Sequence, residues 1–362
     1  MFKDINIKKF RGINALTIKD FKRINLFVGK NNCGKTSILE AILLLTGASN
    51  PEMPMRINAL RELTNIDENF WLSIFNNMSS DRVINLDASL DSPEEKRFLT
   101  IKATKTQTMQ DTSLQHKSIL NETGLIKDNS LRTDLDINGL DLDFKLIKGS
   151  KNKETKQLKS SIFMDNRGVK FKVPDNYMEQ RKAIFHKSTT LHSELAKKFD
   201  NIQIAKGTRQ IVDILKKFDP SIENIMLGSD NKIYCDVGIE RLIPINLLGD
   251  GILKVLSIIT AVSNLKNGFL CIDEIENGLH YSAQQIIWDA IFTTANAFNV
   301  QIFATTHSME CVQAYVSSTP EDFKTNDDIR LFRIEKGNSD HIAIDYNYQY
   351  LAESIDSNWE IR

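Results

Sequence analysis

Residues 24–36 read INLFVGKNNCGKT and decide the fold class of this chain. The first five residues are apolar apart from one asparagine, which predicts a short buried strand that ends at Gly29. From Lys35 onward the apolar residues recur at helical spacing, so a helix is predicted to follow the loop directly. Residues 29–36 fit the phosphate-binding pattern GxxxxGK followed by serine or threonine. A strand, a glycine-rich loop and a helix in this order predict an α/β fold that holds a phosphate group.

The loop residues have separate predicted roles. We expect backbone N–H groups to surround the β-phosphate, Lys35 to reach the β- and γ-phosphates, and the Thr36 hydroxyl to ligate Mg²⁺. A glycine-rich turn without a ligand is the alternative, but the strand and helix stand where a phosphate loop requires them. Cys33 is interpreted as a small loop residue and not as a redox centre. The predicted ATP-contacting residues of this segment are Gly29, Asn31, Asn32, Cys33, Gly34, Lys35, Thr36 and Ser37.

A second apolar strand, at residues 269–272, ends in Asp273 and Glu274. We expect Asp273 to hold Mg²⁺, directly or through water. We expect Glu274 to orient the attacking water and accept its proton. A phosphate loop alone also fits kinases and GTPases, and the glutamate next to the aspartate favours ATP hydrolysis. A solvated acidic pair at an ordinary strand end is the alternative.

Two further segments are candidates for contact with the nucleotide. Residues 300–308, VQIFATTHS, form another apolar strand that ends near His307, which could contact the γ-phosphate or the lytic water. An isolated histidine would more simply be a hydrogen-bonded imidazole, but this one comes one strand–helix unit after the acidic pair. Residues 247–254, LLGDGILK, place two glycines at a helix start. A helix N-terminus favours anions, and a simple helix cap is the alternative.

These motifs together resemble the SMC/RecF-like branch of ABC-type ATPases, and more narrowly the stand-alone AAA-family ATPases related to OLD (overcoming lysogenization defect) proteins. The segments that carry the resemblance are KKFRGI, INLFVGKNNCGKTSILEAI, LLGDGILKVL, CIDEIENGLHYS and FATTHSMEC. The resemblance implies an α/β, ABC-type P-loop head, with a mixed sheet flanked by helices and a β-rich and helical insertion before the signature motif. It also implies a homodimer that binds ATP and Mg²⁺ in composite sites between head-to-tail subunits.

The resemblance assigns further roles to residues of this sequence. Gly249, Asp250 and Gly251 match the signature that binds the γ-phosphate held by the partner subunit, with Gly249 where serine is usual. Arg11 of the FRG segment is expected to approach the nucleotide. Glu276–His280 matches the D-loop that crosses the dimer interface. The Q-loop is placed at Ile184–Thr190.

The chain is divided into three predicted segments: an N-terminal ATPase lobe at 1–105, an insertion and helical lobe at 106–240, and a C-terminal ATPase lobe at 241–362. Residues Thr106–Lys159 are polar and are predicted to form an irregular insertion with short strands. Trp71 is predicted to pack within an amphipathic helix. The insertion contains a lysine run that could bind a phosphate backbone, although a solvated loop is favoured. Its members are Lys145, Lys148, Lys151, Lys153, Lys156 and Lys159.

Composition limits the classes of protein that fit. The formal net charge of −1 gives no overall basic field for nucleic acid. The four cysteines lie far apart, which argues against a zinc site or a disulfide framework and fits a reducing cytoplasm. No signal peptide is apparent, and no run approaches the roughly 18 apolar residues of a membrane helix. We expect a cytoplasmic protein without a membrane partner.

Two functions remain open at the level of sequence. The first is an ATPase that regulates or scaffolds a separately encoded effector, a Toprim or other nuclease, in anti-phage defence. The second is a RecF-like ATPase that contacts DNA in repair. A transporter subunit fits the ENGLH segment and Gly249 less well. No long coiled coil is visible, and the residues after His307 lack the acidic cluster of a Toprim domain, so a built-in nuclease is not expected.

Overall fold

The computed structural model describes residues 1–91, 94–107, 135–149, 154–175, 179, 181–187 and 192–357. Its strands are β1 (Phe2–Phe10), β2 (Ile13–Lys19), β3 (Ile24–Val28), β4 (Ile84–Asp91), β5 (Glu94–Gln107), β6 (Leu135–Lys148), β7 (Glu154–Asp165), β8 (Gly168–Lys172), β9 (Ala183–His186), β10 (Asn224–Leu227), β11 (Ile233–Asp236), β12 (Ile243–Pro244), β13 (Phe269–Ile272), β14 (Gln301–Thr305), β15 (Ile329–Lys336) and β16 (His341–Tyr346). Its α-helices are α1 (Lys35–Thr46), α2 (Met53–Ala59), α3 (Glu68–Leu72), α4 (His192–Ile204), α5 (Thr208–Phe218), α6 (Asp250–Ser263), α7 (Tyr281–Phe298), α8 (Met309–Ser317), α9 (Glu321–Thr325) and α10 (Tyr348–Asp356).

The sheet that positions the site has six strands in the order β16-β15-β3-β14-β13-β9. All neighbours in it run parallel except β15 and β16. Every residue of β3, β13 and β14 is buried, as expected where layers cover both faces of a parallel sheet. Because β3, β14 and β13 are parallel neighbours, their carboxyl ends meet at one edge, and the predicted phosphate loop, histidine and acidic pair all follow those ends.

The second sheet has seven antiparallel strands in the order β2-β1-β4-β5-β6-β7-β8. Helix α1 lies in the apolar core between this sheet and the parallel one, and eleven of its twelve residues are buried. On the other face of the parallel sheet, α4 to α8 pack in a second apolar core. A small sheet, β10-β11-β12, adjoins those helices. The α/β class, the mixed sheet and the β-rich and helical insertion are as the sequence predicts.

The insertion differs from the expectation of an irregular segment. Strand β6 has 14 residues and β7 has 12, because apolar residues alternate along β6 and face the core. Lys145, Lys156 and Lys159 are exposed to solvent, as the favoured interpretation expects, but they lie on these strands and not in a loop. Lys151 and Lys153, and residues 108–134 of the predicted insertion, lie outside the described residues.

The predictions for Trp71 and for the segment boundaries have different outcomes. Trp71 lies in α3 and is 1% exposed, with its ring edge-on to Phe70, as predicted. The boundary predicted at residue 105 falls within β5, and the one at residue 240 falls between β11 and β12 of one small sheet. The division into three segments stays a prediction. Within the described ranges, no helix combines the length and the apolar character needed to cross a membrane.

Candidate functional site

The ends of β3, β13 and β14 open into a cleft of about 890 Å³. The phosphate-loop side is formed by Asn31 to Ser37, and the opposite strands contribute Asp273, Glu274 and His307. Arg11, Arg61 and the segment from Ser73 to Met78 line the cleft further along. The parallel sheet thus brings the predicted loop together with the acidic pair and the histidine, although Thr36 and Asp273 are 237 residues apart in sequence and Lys35 and His307 are 272 apart.

Two glycines give the phosphate loop its shape. Gly29 and Gly34 have φ angles of 139° and 94°, which residues with a side chain rarely adopt. A Cβ atom on Gly29 would also lie 2.4 Å from the carbonyl oxygen of Ile334. Gly34 precedes α1, whose first turn has no side-chain cap. The N–H groups of that turn therefore remain available for an anion, as the phosphate-loop prediction requires.

Lys35 lies almost buried inside this loop. Its Nζ donates to the carbonyl oxygens of Gly29 at 2.8 Å and Lys30 at 3.1 Å, and it lies 3.3 Å from Nδ1 of His307. Burial lowers the pKa of the Lys35 ammonium, and the nearby Cys33 and Asp273 oppose that shift. The ammonium is therefore held at the turn by carbonyl oxygens, next to the place where the loop can receive phosphate.

Asp273 is the centre of a group of oxygen atoms. Its carboxylate accepts from the Thr36 hydroxyl at 3.0 Å and from the Thr305 hydroxyl at 2.7 Å. A carboxylate beside a threonine hydroxyl at the start of a P-loop helix is a set of hard oxygen donors that suits Mg²⁺. The residues present thus fit the ion. When bound, Mg²⁺ would supply positive charge that offsets the charge of the phosphates.

Glu274 stands beside His307 in the cleft. Its backbone is left-handed, with φ of 49°, and its N–H donates to the Thr305 hydroxyl at 2.8 Å. Its side chain is 49% exposed, and Oε1 lies 3.8 Å from Nε2 of His307. The His307 N–H donates to Glu276 at 2.6 Å. A non-glycine residue in this conformation is uncommon, and its strain is compatible with a carboxylate that the fold directs into a reaction site.

The predicted signature residues lie elsewhere. Gly249 has φ of 103° and precedes α6, and Asp250 is the first residue of that helix. Both are exposed, and neither they nor Gly251 line the cleft that their own chain forms. The structure therefore places the predicted phosphate loop, acidic pair and histidine in the cleft, and the predicted signature outside it.

Sequence reasoning missed Lys254, which connects α6 to the turn after β13. Its Nζ donates to the carbonyl oxygens of Glu274, at 3.4 Å, and Asn277. It is 8% exposed, and burial lowers its pKa to about 8. No local motif marks this lysine, because its partners follow it by 20 and 23 residues.

Arg11 is occupied by internal contacts. Its guanidinium donates from Nε to Glu40, from Nη1 to Ser73, and from Nη2 to Ile57 and Asn58. Burial lowers the pKa of this guanidinium, which Glu40 opposes. The contact of Arg11 with nucleotide stays a prediction. The predicted Q-loop begins with Ile184–His186, which end β9 beside β13, and its last three residues lie outside the described part of the chain.

Similarity to known proteins identifies the family of the chain. A family model described as the AAA ATPase domain matches residues 1–312. This chain belongs to that AAA ATPase family. A relative, the ATP/GTP phosphatase of Helicobacter pylori, is 25% identical over an alignment of 340 residues that covers 86% of this chain and 87% of that protein.

Solved structures show the fold of this ATPase. The SMC head bound to the C-terminal winged-helix domain of ScpA aligns with a TM-score of 0.50 at 10% identity, over 96% of this chain and 98% of that one. The SMC head domain of Thermotoga maritima aligns with a TM-score of 0.43 at 11% identity, over 95% and 98% of the two chains. The first of these alignments gives the chain an SMC-head-like fold, and the family match makes it an AAA-family ATPase.

Proposed function

We propose that this ATPase hydrolyses ATP in composite sites between two copies of itself, arranged head to tail. The observation that carries the proposal is the division of the motifs. Lys35, Asp273 and Glu274 face one cleft, whereas the glycine-rich start of α6 is exposed and outside it. A second copy could bring its α6 N-terminus, an anion-binding end, to the open side of the cleft.

Each residue of the cleft has a proposed role in that site. The loop N–H groups and Lys35 hold the phosphates, and Thr36 and Asp273 hold Mg²⁺. The exposed Glu274 carboxylate orients water and takes its proton as the water attacks the γ-phosphorus. His307, 3.8 Å from that carboxylate, contacts the γ-phosphate or the same water. Gly249, Asp250 and Gly251 complete the site of the partner subunit.

Closure of this dimer would be a nucleotide-dependent change of conformation that another protein could recognise. In line with the sequence resemblance, we propose that the closed dimer controls a separately encoded effector of the nuclease type, in anti-phage defence. The support is that the head combines a cleft lined by the predicted phosphate loop with an exposed predicted signature, and dimerisation would change the surroundings of both. Co-purification of the tagged chain with products of neighbouring genes, with and without ATP, tests this role.

A complementation experiment tests the composite site. Lys35→Ala removes the phosphate-facing charge, and Asp250→Tyr adds bulk at the exposed start of α6. We choose Asp250 because a Cβ on Gly251 would lie 2.9 Å from the Phe218 ring and disturb packing within the subunit. Each variant alone should lack ATPase activity, whereas in a mixed dimer both lesions fall on one site and leave the other intact.

Partial activity should therefore return when the two variants are mixed, up to about half the wild-type rate per mixed dimer. Dimer formation in the mixture is checked by light scattering or by differently tagged chains. Mixed dimers that stay inactive, or an Asp250→Tyr protein that hydrolyses ATP normally by itself, would count against a site shared between subunits.

A further inference from the structure

Two arginines share one buried carboxylate at the far end of the cleft. Glu40 lies on α1 with its side chain 0% exposed. Its Oε2 accepts from Nε of Arg11 at 3.1 Å, and its Oε1 accepts from Nε of Arg61 at 2.7 Å. Within the described ranges, Glu40 is the one carboxylate that forms an ion pair with either arginine. Two positive charges against one negative charge leave a net charge of about +1 at the cleft wall.

The two guanidinium groups differ in the donors that they leave open. A guanidinium has five N–H donors. Arg11 makes five contacts with protein acceptors, so it has no donor left for a ligand. Arg61 uses Nε and Nη2, toward Glu40 and the Ser37 hydroxyl. Its Nη1 has no acceptor among the described residues, and its side chain, 38% exposed, lines the cleft.

The position of Arg61 around α1 indicates which part of a nucleotide it can reach. Successive helical residues point about 100° apart around the axis. Lys35 contacts His307, Thr36 contacts Asp273, and Ser37 contacts Arg61. Lys35 and Ser37 are two positions apart on α1, so Arg61 contacts the helix start at a different position from the one that contacts His307. If His307 lies at the γ-phosphate, Arg61 lies at the end of the phosphate chain nearest the ribose.

We propose that Arg61 binds the α-phosphate of the nucleotide through Nη1, and that Arg11 is the positioning residue that fixes their common partner Glu40. This inference rests on the proposed nucleotide site. It replaces Arg11 by Arg61 as the arginine that touches the ligand. Since ADP and ATP share the α-phosphate, Arg61 should contribute equally to the binding of both, and Ser37 should keep the guanidinium at the start of α1.

The test measures the Kd of Mg-ADP and of a non-hydrolysable Mg-ATP analogue by calorimetry, for wild type and Arg61→Gln. Loss of one charge-assisted contact should weaken both ligands by about 10- to 100-fold. Arg56→Gln is the matched control, because Arg56 is an exposed arginine on α2 outside the cleft. Its affinities should equal those of wild type. Arg61→Lys, which keeps a positive charge near Glu40, should lie between wild type and Arg61→Gln.

Lys35→Ala separates the inference from the proposed function. Normal ADP affinity in Arg61→Gln, with affinity lost in Lys35→Ala, would overturn the Arg61 assignment alone. Normal affinity in both variants would overturn the nucleotide site itself. A loss confined to the ATP analogue would place Arg61 at the γ-phosphate and also refute the α-phosphate assignment. Thermal melting of each variant without nucleotide shows that the compared proteins are folded, and Arg61→Lys serves for the comparison if Arg61→Gln is not.

Discussion

His186 ends β9, and its imidazole is 4% exposed, with Nε2 at 2.8 Å from the Ser257 hydroxyl. Burial lowers the pKa of His186 to about 4, and the charges of Lys254 and Lys198 act in the same direction. The unfolded chain takes up this proton near pH 6.5, whereas the folded chain resists it. Stability is therefore lost as pH falls from about 6.5 toward about 4, by about 2 kcal/mol between pH 7 and pH 5.

Urea unfolding at pH 7 and pH 5 checks this linkage. In His186→Gln, the free energy of unfolding should fall less between these pH values than in wild type, by about 2 kcal/mol. His280→Gln is the control, since His280 is exposed and should leave the wild-type pH dependence intact. An equal fall in wild type and His186→Gln would show that other groups cause the acid sensitivity.

The residues that could be predicted from sequence share a local signal. Lys35 and Thr36 stand in one continuous pattern, and Asp273 and Glu274 follow an apolar strand without interruption. Glu40 and Arg61 are missing from the predictions because their contact spans 21 residues and depends on how α1 packs. Such a contact between distant residues produces no motif or hydrophobic periodicity that could be recognised in a single sequence.

The Lys254 side chain of helix α6 reaches the turn after β13. The Lys254 ammonium binds the carbonyl oxygens of Glu274 and Asn277, so it joins the helix of the predicted signature to the backbone of the predicted general base. Lys254→Met keeps the chain length but removes these hydrogen bonds. ATP hydrolysis should fall about 10-fold, which corresponds to about 1.4 kcal/mol. Nucleotide affinity should remain, because the phosphate loop is untouched.

Steady-state ATPase assays and ADP calorimetry on the same samples distinguish these effects. Lys266→Met is the control, because Lys266 is exposed just beyond the end of α6. A Lys254→Met protein with a normal rate, or one that loses ADP affinity in parallel with rate, would contradict a link confined to the Glu274 turn.

Elements differ in how far sequence predicts them. Strand β3 and helix α1 carry their own apolar pattern, so both are predictable. Strands β6 and β7 read as an irregular insertion because many charged residues occupy their exposed faces. Their pairing, with Asp143 opposite Lys159, becomes evident only in the sheet. Cross-strand pairing therefore adds to the alternation of apolar residues along β6 in forming these two strands.

At the scale of the whole molecule, a change at Glu274 should trap the proposed dimer. Glu274→Gln keeps the size of the side chain but removes the general base, so hydrolysis should slow by roughly 10² or more. ATP that binds the closed dimer should then stabilise it by mass action. Size-exclusion chromatography with light scattering should show a dimer with Mg-ATP and a monomer with Mg-ADP. A monomer under both conditions would argue against nucleotide-dependent closure.

Helix α1 connects the layers of the whole molecule. Its first turn forms one wall of the cleft, and the remaining turns are enclosed between the antiparallel and the parallel sheet. Such a helix has no room to tilt by itself, because close-packed cores resist local deformation. Its central amides should exchange with deuterium only when the entire head unfolds, whereas those at the exposed start of α6 should exchange early. The phosphates would then be held by α1, the slowly exchanging part of the head, and contacted in the partner subunit by the start of α6, which exchanges early.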